Sequence, residues 1–160
     1  MTKIELTEDL IAPCGMNCGI CIAFLREKNP CHSCRQAHLN KAKTRIVCRI
    51  KNCGNLKEAK GSFCYDCASF PCKQLKHLDT RYTSKYHMSM LENLKMIKNQ
   101  GMNTFLDHQQ KLWACPTCGS TICCHNGLCY QCQRDEVKAR KNRLGWTTNA
   151  EKQEKKKESF

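Results

Sequence analysis

The sequence predicts a small, irregular, mainly α-helical fold stapled by metal, and three observations point to it. Sixteen of the 160 residues are cysteines, and ten of them form pairs two residues apart: Cys18/Cys21, Cys31/Cys34, Cys64/Cys67, Cys115/Cys118 and Cys129/Cys132. Leu, Ile, Val and Phe total only 28 residues against a net charge of +13, a balance at which chains rarely bury a self-sufficient core. Between the cysteine-rich ends, Lys73 to Trp113 lacks cysteine and carries apolar residues at helical spacing.

The pairs set the chemistry. Two intervening residues let the backbone curl until both sulfurs face one tetrahedral ion, the knuckle of structural zinc sites. The start of the chain, MTKIELTEDLIAP, alternates charge with isolated apolar residues and holds no secretory-type apolar run. No stretch approaches the roughly 18 apolar residues that would span a bilayer. A cytoplasmic location with reduced thiols is therefore expected, and close pairs there read as ligands rather than disulfides. Bound metal also tempers the charge. Each zinc on four thiolates is a net dianion, so two sites lower the net charge to about +9 and three to about +7.

Four regions follow along the chain: a cysteine-rich metal-binding region over 10–72, a helical hairpin over 73–113, a zinc-ribbon-like module over 114–132 and a basic tail over 133–160. In the first, Cys18 to Lys28 predicts a short helix stopped at Asn29-Pro30, with Ile20, Phe24 and Leu25 on one side. Thr44 to Lys51 is too short to assign by period. Met90, Leu91, Leu94 and Ile97 predict a helix ended by Gly101, and Asn103 or Thr104 can cap a second one bearing Phe105, Leu106, Leu112 and Trp113. Gln133 to Leu144 reads as a basic helix, and the segment after Trp146 has nothing to bury and is expected to stay disordered.

The clearest ligand set is Cys115-Pro-Thr-Cys118-Gly with Cys129-Tyr-Gln-Cys132, two knuckles around a ten-residue loop. Cys123, Cys124 and His125 lie inside that loop and can compete as ligands, although the two cysteines are expected to be small buried residues. Ten further cysteines, Cys14, Cys18, Cys21, Cys31, Cys34, Cys48, Cys53, Cys64, Cys67 and Cys72, divide in more than one way. Cys18, Cys21, Cys31 and Cys34 can form one site, leaving Cys53, Cys64, Cys67 and either Cys48 or Cys72 for another. Equally allowed is a site of Cys31, Cys34, Cys48 and Cys53, with Cys14, Cys18 and Cys21 closed by a ligand from 64–72. Two of the ten are spare, or His32, His77 or His87 completes a third site. Two to three zinc ions per chain are expected. The spacing Cys14-x3-Cys18-x2-Cys21 also suits an iron–sulfur cluster, since tetrahedral sulfur does not separate zinc from iron.

These motifs are familiar as an ordered set. Pro13-Cys14-Gly15 with Cys18 and Cys21, then Cys31-His-Ser-Cys34, Cys48, Cys53 and Cys64-Tyr-Asp-Cys67-Ala-Ser-Phe-Pro-Cys72, resemble domain-of-unknown-function family 3795. The resemblance extends to Leu91-Glu92-Asn93-Leu94 and Trp113-Ala-Cys115-Pro-Thr-Cys118-Gly119, about residues 10 to 132. It implies a small, prokaryotic, zinc-binding protein and carries over no activity.

The functional expectation is a non-enzymatic binding module. Lys28 to Lys57 holds eight Lys/Arg and no acid, and Arg134 to Arg143 is a second basic stretch. Both suit nucleic acid or an acidic protein surface, with Tyr65, Tyr82, Tyr86 and Trp146 available to stack on bases. Catalytic zinc keeps an open position and favours His or carboxylate ligands, and the sequence has no HExxH and no phosphate-cradling glycine loop. Cys14 or Cys72 would be the nucleophile of an enzyme. The other class is an iron–sulfur redox or electron-transfer protein of an anaerobe, its cluster at Cys14, Cys18 and Cys21.

Overall fold

Helices dominate because the few long apolar patterns in the chain are helical ones. The computed structural model describes residues 3–36, 41, 43–58, 63–140 and 145, apart from the side chains of 57 and 58. Among them lie α1 (Ile22–Leu25), α2 (Lys43–Ile46), α3 (Gly54–Glu58), α4 (Lys73–Lys85), α5 (Met90–Gln100), α6 (Met102–Leu112) and α7 (Arg134–Ala139). Short 3₁₀ turns cover Glu8–Leu10, Cys18–Ile20 and Cys64–Asp66. The described residues form no extended strand, only isolated antiparallel bridges at Ile11/Asn17, Ala114/Thr121 and Ile122/Cys129.

The central helices form where local signals agree. Ser89 caps α5, its Oγ accepting the Glu92 N–H at 3.1 Å, in the Ser-x-x-Glu pattern of a capping box. Asp79 on α4 accepts from Ser89 Oγ at 2.7 Å and from the Leu91 N–H at 3.1 Å, so α4 is bonded to the start of α5. Met90, Leu94 and Ile97 are buried along one face of α5. Gly101 ends it at φ +90 and α6 begins at the next residue, so the cap expected at Asn103 or Thr104 is replaced by Gly101 itself. Phe105 and Trp113 are buried as expected; Leu106 and Leu112 are half-buried. α4 is a third central helix beyond the expected pair, burying Leu75 and Tyr82 two turns apart on one face.

Elsewhere the expected elements are shorter. Cys18 to Lys28 is a 3₁₀ turn and then α1, with Cys21 extended between them. The break puts Cys21 at a helix start instead of inside a continuous helix. Thr44 to Lys51 contributes most of α2 and then turns. The basic helix is Arg134–Ala139; residues 141–144 and the tail after Gly145 lie outside the described residues.

The largest departure concerns the N-terminal segment. Met1 to Pro13 reads as a charge-alternating stretch with isolated apolar residues, yet Leu6, Leu10, Ile11 and Ala12 are buried, as are Met16 and Ile20 just after it. Ile11, Ala12, Met16 and Ile20 join Leu75, Leu94, Phe105, Trp113 and Ile122 in one core, so apolar burial extends well beyond the helical hairpin. Side-chain amides fix the segment in place. Asn93 Nδ2 donates to the Gly15 carbonyl at 2.9 Å, Asn17 Nδ2 to Gln109 Oε1 at 3.2 Å, and Gln110 pairs with the Leu6 N–H and the Ile4 carbonyl. These bonds satisfy backbone groups that burial would otherwise orphan.

Gly15 is the tightest point of this contact. Its φ is +91, and a Cβ there would stand 2.8 Å from the Met90 carbonyl oxygen and 2.9 Å from Leu94 Cγ. Gly15→Ala is therefore expected to cost about 2–3 kcal/mol through left-handed strain and displacement of α5, read as a lower denaturation midpoint in urea. Gly101→Ala, whose Cβ would meet nothing within 4 Å, is expected to cost less because only its φ is unfavourable.

Candidate metal centres

The C-terminal cysteines are brought together by two tight turns facing one another. In the first, the Gly119 N–H donates to the Cys115 carbonyl at 2.8 Å, and Gly119 takes φ +73 to close the turn. In the second, the Gln133 N–H donates to the Cys129 carbonyl at 3.0 Å, while Gln133 Oε1 accepts the Cys129 N–H at 2.9 Å. The Ala114/Thr121 and Ile122/Cys129 bridges hold the turns side by side. Sγ of Cys115 lies 3.6 Å from that of Cys132, and Sγ of Cys118 lies 3.6 Å from that of Cys129. All four sulfurs fall within 4.8 Å of one another. An ion bound at about 2.3 Å by four sulfurs needs a tetrahedron with edges of about 3.8 Å, so the quartet fits one ion. Cys115 and Cys129 are buried and Cys118 and Cys132 exposed, so one side of the site faces solvent.

Electrostatics agree with that geometry. Burial alone would raise the Cys115 thiol. N–H donors from Cys118 and Thr117, with the sulfurs of Cys132 and Cys129, outweigh it and bring it down to about 7. Cys132 is held up at about 12 by desolvation and by the sulfurs of Cys115, Cys129 and Cys118; since the residue is exposed, sulfur crowding is the main cause. Backbone donors aimed at a sulfur favour its thiolate, the ligating form.

Cys123 and Cys124 are fully buried, as expected for small apolar residues in the loop. His125 is not turned to the quartet. Its Nδ1 accepts the Ile22 N–H at 3.3 Å and its Nε2 meets the Tyr82 hydroxyl at 3.1 Å, bonding the ribbon to α1 and α4. The expectation that Tyr82 and Tyr86 could stack on bases is corrected here. Both are buried against His125, with ring centroids 5.6 and 4.7 Å from its own. Tyr65 is half-buried on Phe63, and Trp146 lies outside the described residues.

The N-terminal cysteines fall into two further sets. Cys18, Cys21, Cys31 and Cys34 line one cavity of about 50 Å³, with Lys41, Arg45 and Tyr82 also on its wall. Local structure explains the grouping. Asn17 Oδ1 accepts the Gly19 N–H and sets the turn carrying Cys18, the Cys31 N–H returns to the Ala23 carbonyl at 2.8 Å, and the Cys34 N–H donates to Cys18 Sγ at 3.4 Å. The Cys34 thiol is lowered to about 6 by its hydrogen bond with Cys18, against burial, and by the charges of Arg45, Lys41 and Lys51. Cys18 moves up in exchange, through the same hydrogen bond and burial.

Cys53, Cys64, Cys67 and Cys72 line the second cavity, of about 30 Å³, whose other walls include Ile50, Leu56, Phe70 and Leu75. Cys72 sits at the start of α4 as its N-terminal flanking residue. Cys64 is raised to about 12 by burial and by Cys72, Cys53 and Cys67. Of the groupings the spacing allows, Cys18/Cys21 and Cys31/Cys34 line one cavity, and Cys72 lines the other with Cys53, Cys64 and Cys67; Cys48 acts electrostatically on both Cys14 and Cys64. Cys14 and Cys48 line neither cavity. The Cys64 N–H donates to the Pro13 carbonyl at 2.9 Å, and burial raises Cys14 to about 12 with Cys34, Cys64 and Cys48 contributing. Cys14 thus lies between the two sets. His32 and His77 are exposed and line neither set.

Lys41, Arg45 and Tyr82 at the first cavity were not foreseen as site residues. The acid-free run 28–57 was the available signal for the two cations, since unbalanced positive charge beside cysteine pairs suits thiolates as well as phosphate. Nothing in sequence placed Tyr82 there.

Fold and site together define a small, mainly helical, cysteine-rich protein with a four-cysteine cluster able to bind a metal ion; that cluster is consistent with a zinc-ribbon-like module. Residues 10–77 match the family model described as a protein of unknown function (DUF3795). The match takes in both N-terminal cysteine sets and ends inside α4, short of the Leu91–Leu94 and Trp113–Gly119 motifs included in the resemblance. No curated protein and no solved structure matches the chain. No helix of the described residues is long and apolar enough to cross a membrane.

Two outcomes follow. Cobalt(II) added to metal-free protein is expected to give the absorption of tetrahedral thiolate–cobalt, with the C-terminal contribution lost in Cys115→Ser/Cys129→Ser. His125 is buried and neutral, its imidazole lowered from 6.5 to about 4 by desolvation and by Arg45. The unfolded chain therefore binds the proton first, and stability falls as pH drops from about 6.5 toward 4, by up to about 3 kcal/mol. His125→Gln should flatten that part of the pH–stability curve.

Proposed function

We propose that this is a non-enzymatic, zinc-stapled binding module that holds zinc at Cys115, Cys118, Cys129 and Cys132 and contacts a nucleic acid through its basic surface. The tetrahedral quartet supports the zinc. A four-thiolate site leaves no open position, which argues for a structural ion rather than one that activates water.

The outward face of α4 supports the partner. Lys73, Lys76, Arg81 and Lys85 are exposed there, and the helix's one acid, Asp79, is turned to Ser89 and Leu91. The basic stretches singled out in sequence contribute less. Arg45 and Lys41 face thiols, Arg35 lies over the Phe63 ring, Arg134 pairs with Glu27 at 3.3 Å, and Arg140 donates to the Gly145 carbonyl. A helix face with one sign of charge suits regularly spaced phosphates. An acidic protein surface is the alternative anionic partner.

Fluorescence anisotropy with labelled single-stranded RNA and DNA tests this. Binding at 50 mM salt that weakens steeply as salt rises, and falls at least tenfold in Lys76→Glu/Arg81→Glu, is the expected result. No detectable binding to either strand type, or to duplexes, would overturn the nucleic-acid reading.

A further inference from the structure

Two of the side-chain amides that fasten the N-terminal segment also line a cavity, and each has one polar end to spare. The cavity runs along α5 and α6 and measures about 370 Å³. That is within the range of small-molecule sites, about 300–1,000 Å³. Among the described residues, no cysteine lines it. Asn93, Gln109, Met88 and Trp113 are its buried residues, and exposed Glu92 and Lys95 lie at its edge.

Backbone groups fix which end of each amide is spare. The Gly19 N–H donates to Asn17 Oδ1 at 3.0 Å, which leaves Asn17 Nδ2 to donate to Gln109 Oε1 at 3.2 Å. Gln109 therefore keeps Nε2, a donor, for the cavity. Asn93 Nδ2 donates to the Gly15 carbonyl at 2.9 Å, so Asn93 keeps Oδ1, an acceptor. Trp113 adds a buried indole N–H without a hydrogen-bond partner, a standing cost that a ligand oxygen reaching it would remove. One spare donor and one spare acceptor match a secondary amide, which offers one carbonyl oxygen and one N–H. The edge matches charged termini. Glu92 and Lys95 lie three residues apart on α5, which sets their Cβ atoms about 5–6 Å apart. An extended dipeptide is of similar reach, roughly 7 Å at about 3.3–3.6 Å per residue, with an ammonium at one end and a carboxylate at the other. Met88, Met96 and Leu112 give an apolar side chain a surface to pack on, and methionine adapts its shape to what it meets.

We infer that this cavity binds a short zwitterionic peptide bearing an apolar side chain. Asn93 and Gln109 hold its amide, Glu92 its ammonium and Lys95 its carboxylate. The site uses no cysteine and none of the exposed cations of α4, so it depends neither on zinc nor on the nucleic-acid partner.

The test titrates the full chain, labelled at its methionine methyl groups, with the dipeptide alanyl-leucine and follows the methyl signals by NMR. Met88 and Met96 are expected to shift together and saturably, while Met16, which lines a cysteine cavity instead, stays in place. Free leucine keeps both termini and the side chain but has no peptide bond. It is expected to bind at least about tenfold more weakly, because both spare amide ends stay unpaired. Uracil, which offers a donor and an acceptor on a lactam edge but no charged termini, should also bind more weakly than the dipeptide. Gln109→Glu keeps an acceptor for Asn17 and removes the spare donor, and Lys95→Glu reverses an exposed charge without touching the core. Each should weaken dipeptide binding by about tenfold or more. In Trp146→Phe, the fluorescence of Trp113 should change over the same concentration range. No methyl shift at about 10 mM dipeptide would overturn the proposal, since a specific site of this kind binds more tightly than that. Equal affinity for leucine, or tighter binding of uracil, would overturn it as well.

Discussion

Sulfur atoms of four cysteines cannot share a space a few ångströms across while all are ionised unless a cation stands among them. At 3.6 Å, two thiolates repel by roughly 4–5 kcal/mol at an effective dielectric near 20, and a tetrahedron contains several such pairs. A bound cation reverses the sign of that balance, and the knuckles' backbone N–H groups are already aimed to favour the ionised form. The C-terminal module shows isolated bridges in place of a sheet, and buried Ile122, Cys124 and His125 tie it to the core. Its exposed pair, Cys118 and Cys132, gains nothing from burial and depends on the cation.

The helical centre carries the rest by ordinary packing. α4, α5 and α6 supply Leu75, Leu94 and Phe105 to a core completed by the N-terminal segment through Ile11 and Ile20, and by the C-terminal module through Ile122. α4 is the element that joins packing to chemistry. Its first turn begins at Cys72, its buried Tyr82 reaches the first cavity, and the Tyr82 hydroxyl meets His125. A shift of this helix would disturb both N-terminal sets and the ribbon's anchor together.

Positive charge is divided between two uses. Lys41, Arg45 and Lys51 act on Cys34, offsetting the accumulation of thiolates in a cramped space. Lys73, Lys76, Arg81 and Lys85 on α4 are instead exposed to solvent. Net charge, formally +13, therefore overstates the positive charge at the surface, because part of it points inward.

Cysteine spacing by itself determined that Cys115, Cys118, Cys129 and Cys132 come together, and apolar period that Met90 to Gln100 is a helix ended by glycine. Those features are local, set by turns of a few residues and by helical period. Tertiary structure decided what local geometry leaves open. It set Cys18, Cys21, Cys31 and Cys34 around one cavity and Cys53, Cys64, Cys67 and Cys72 around another, turned His125 toward Tyr82, and buried Leu6, Leu10, Ile11, Met16 and Ile20. Each of these depends on which segments meet across many residues, as Asn93 meets Gly15. A sequence constrains such a meeting only through the sum of its contacts, which no short motif displays.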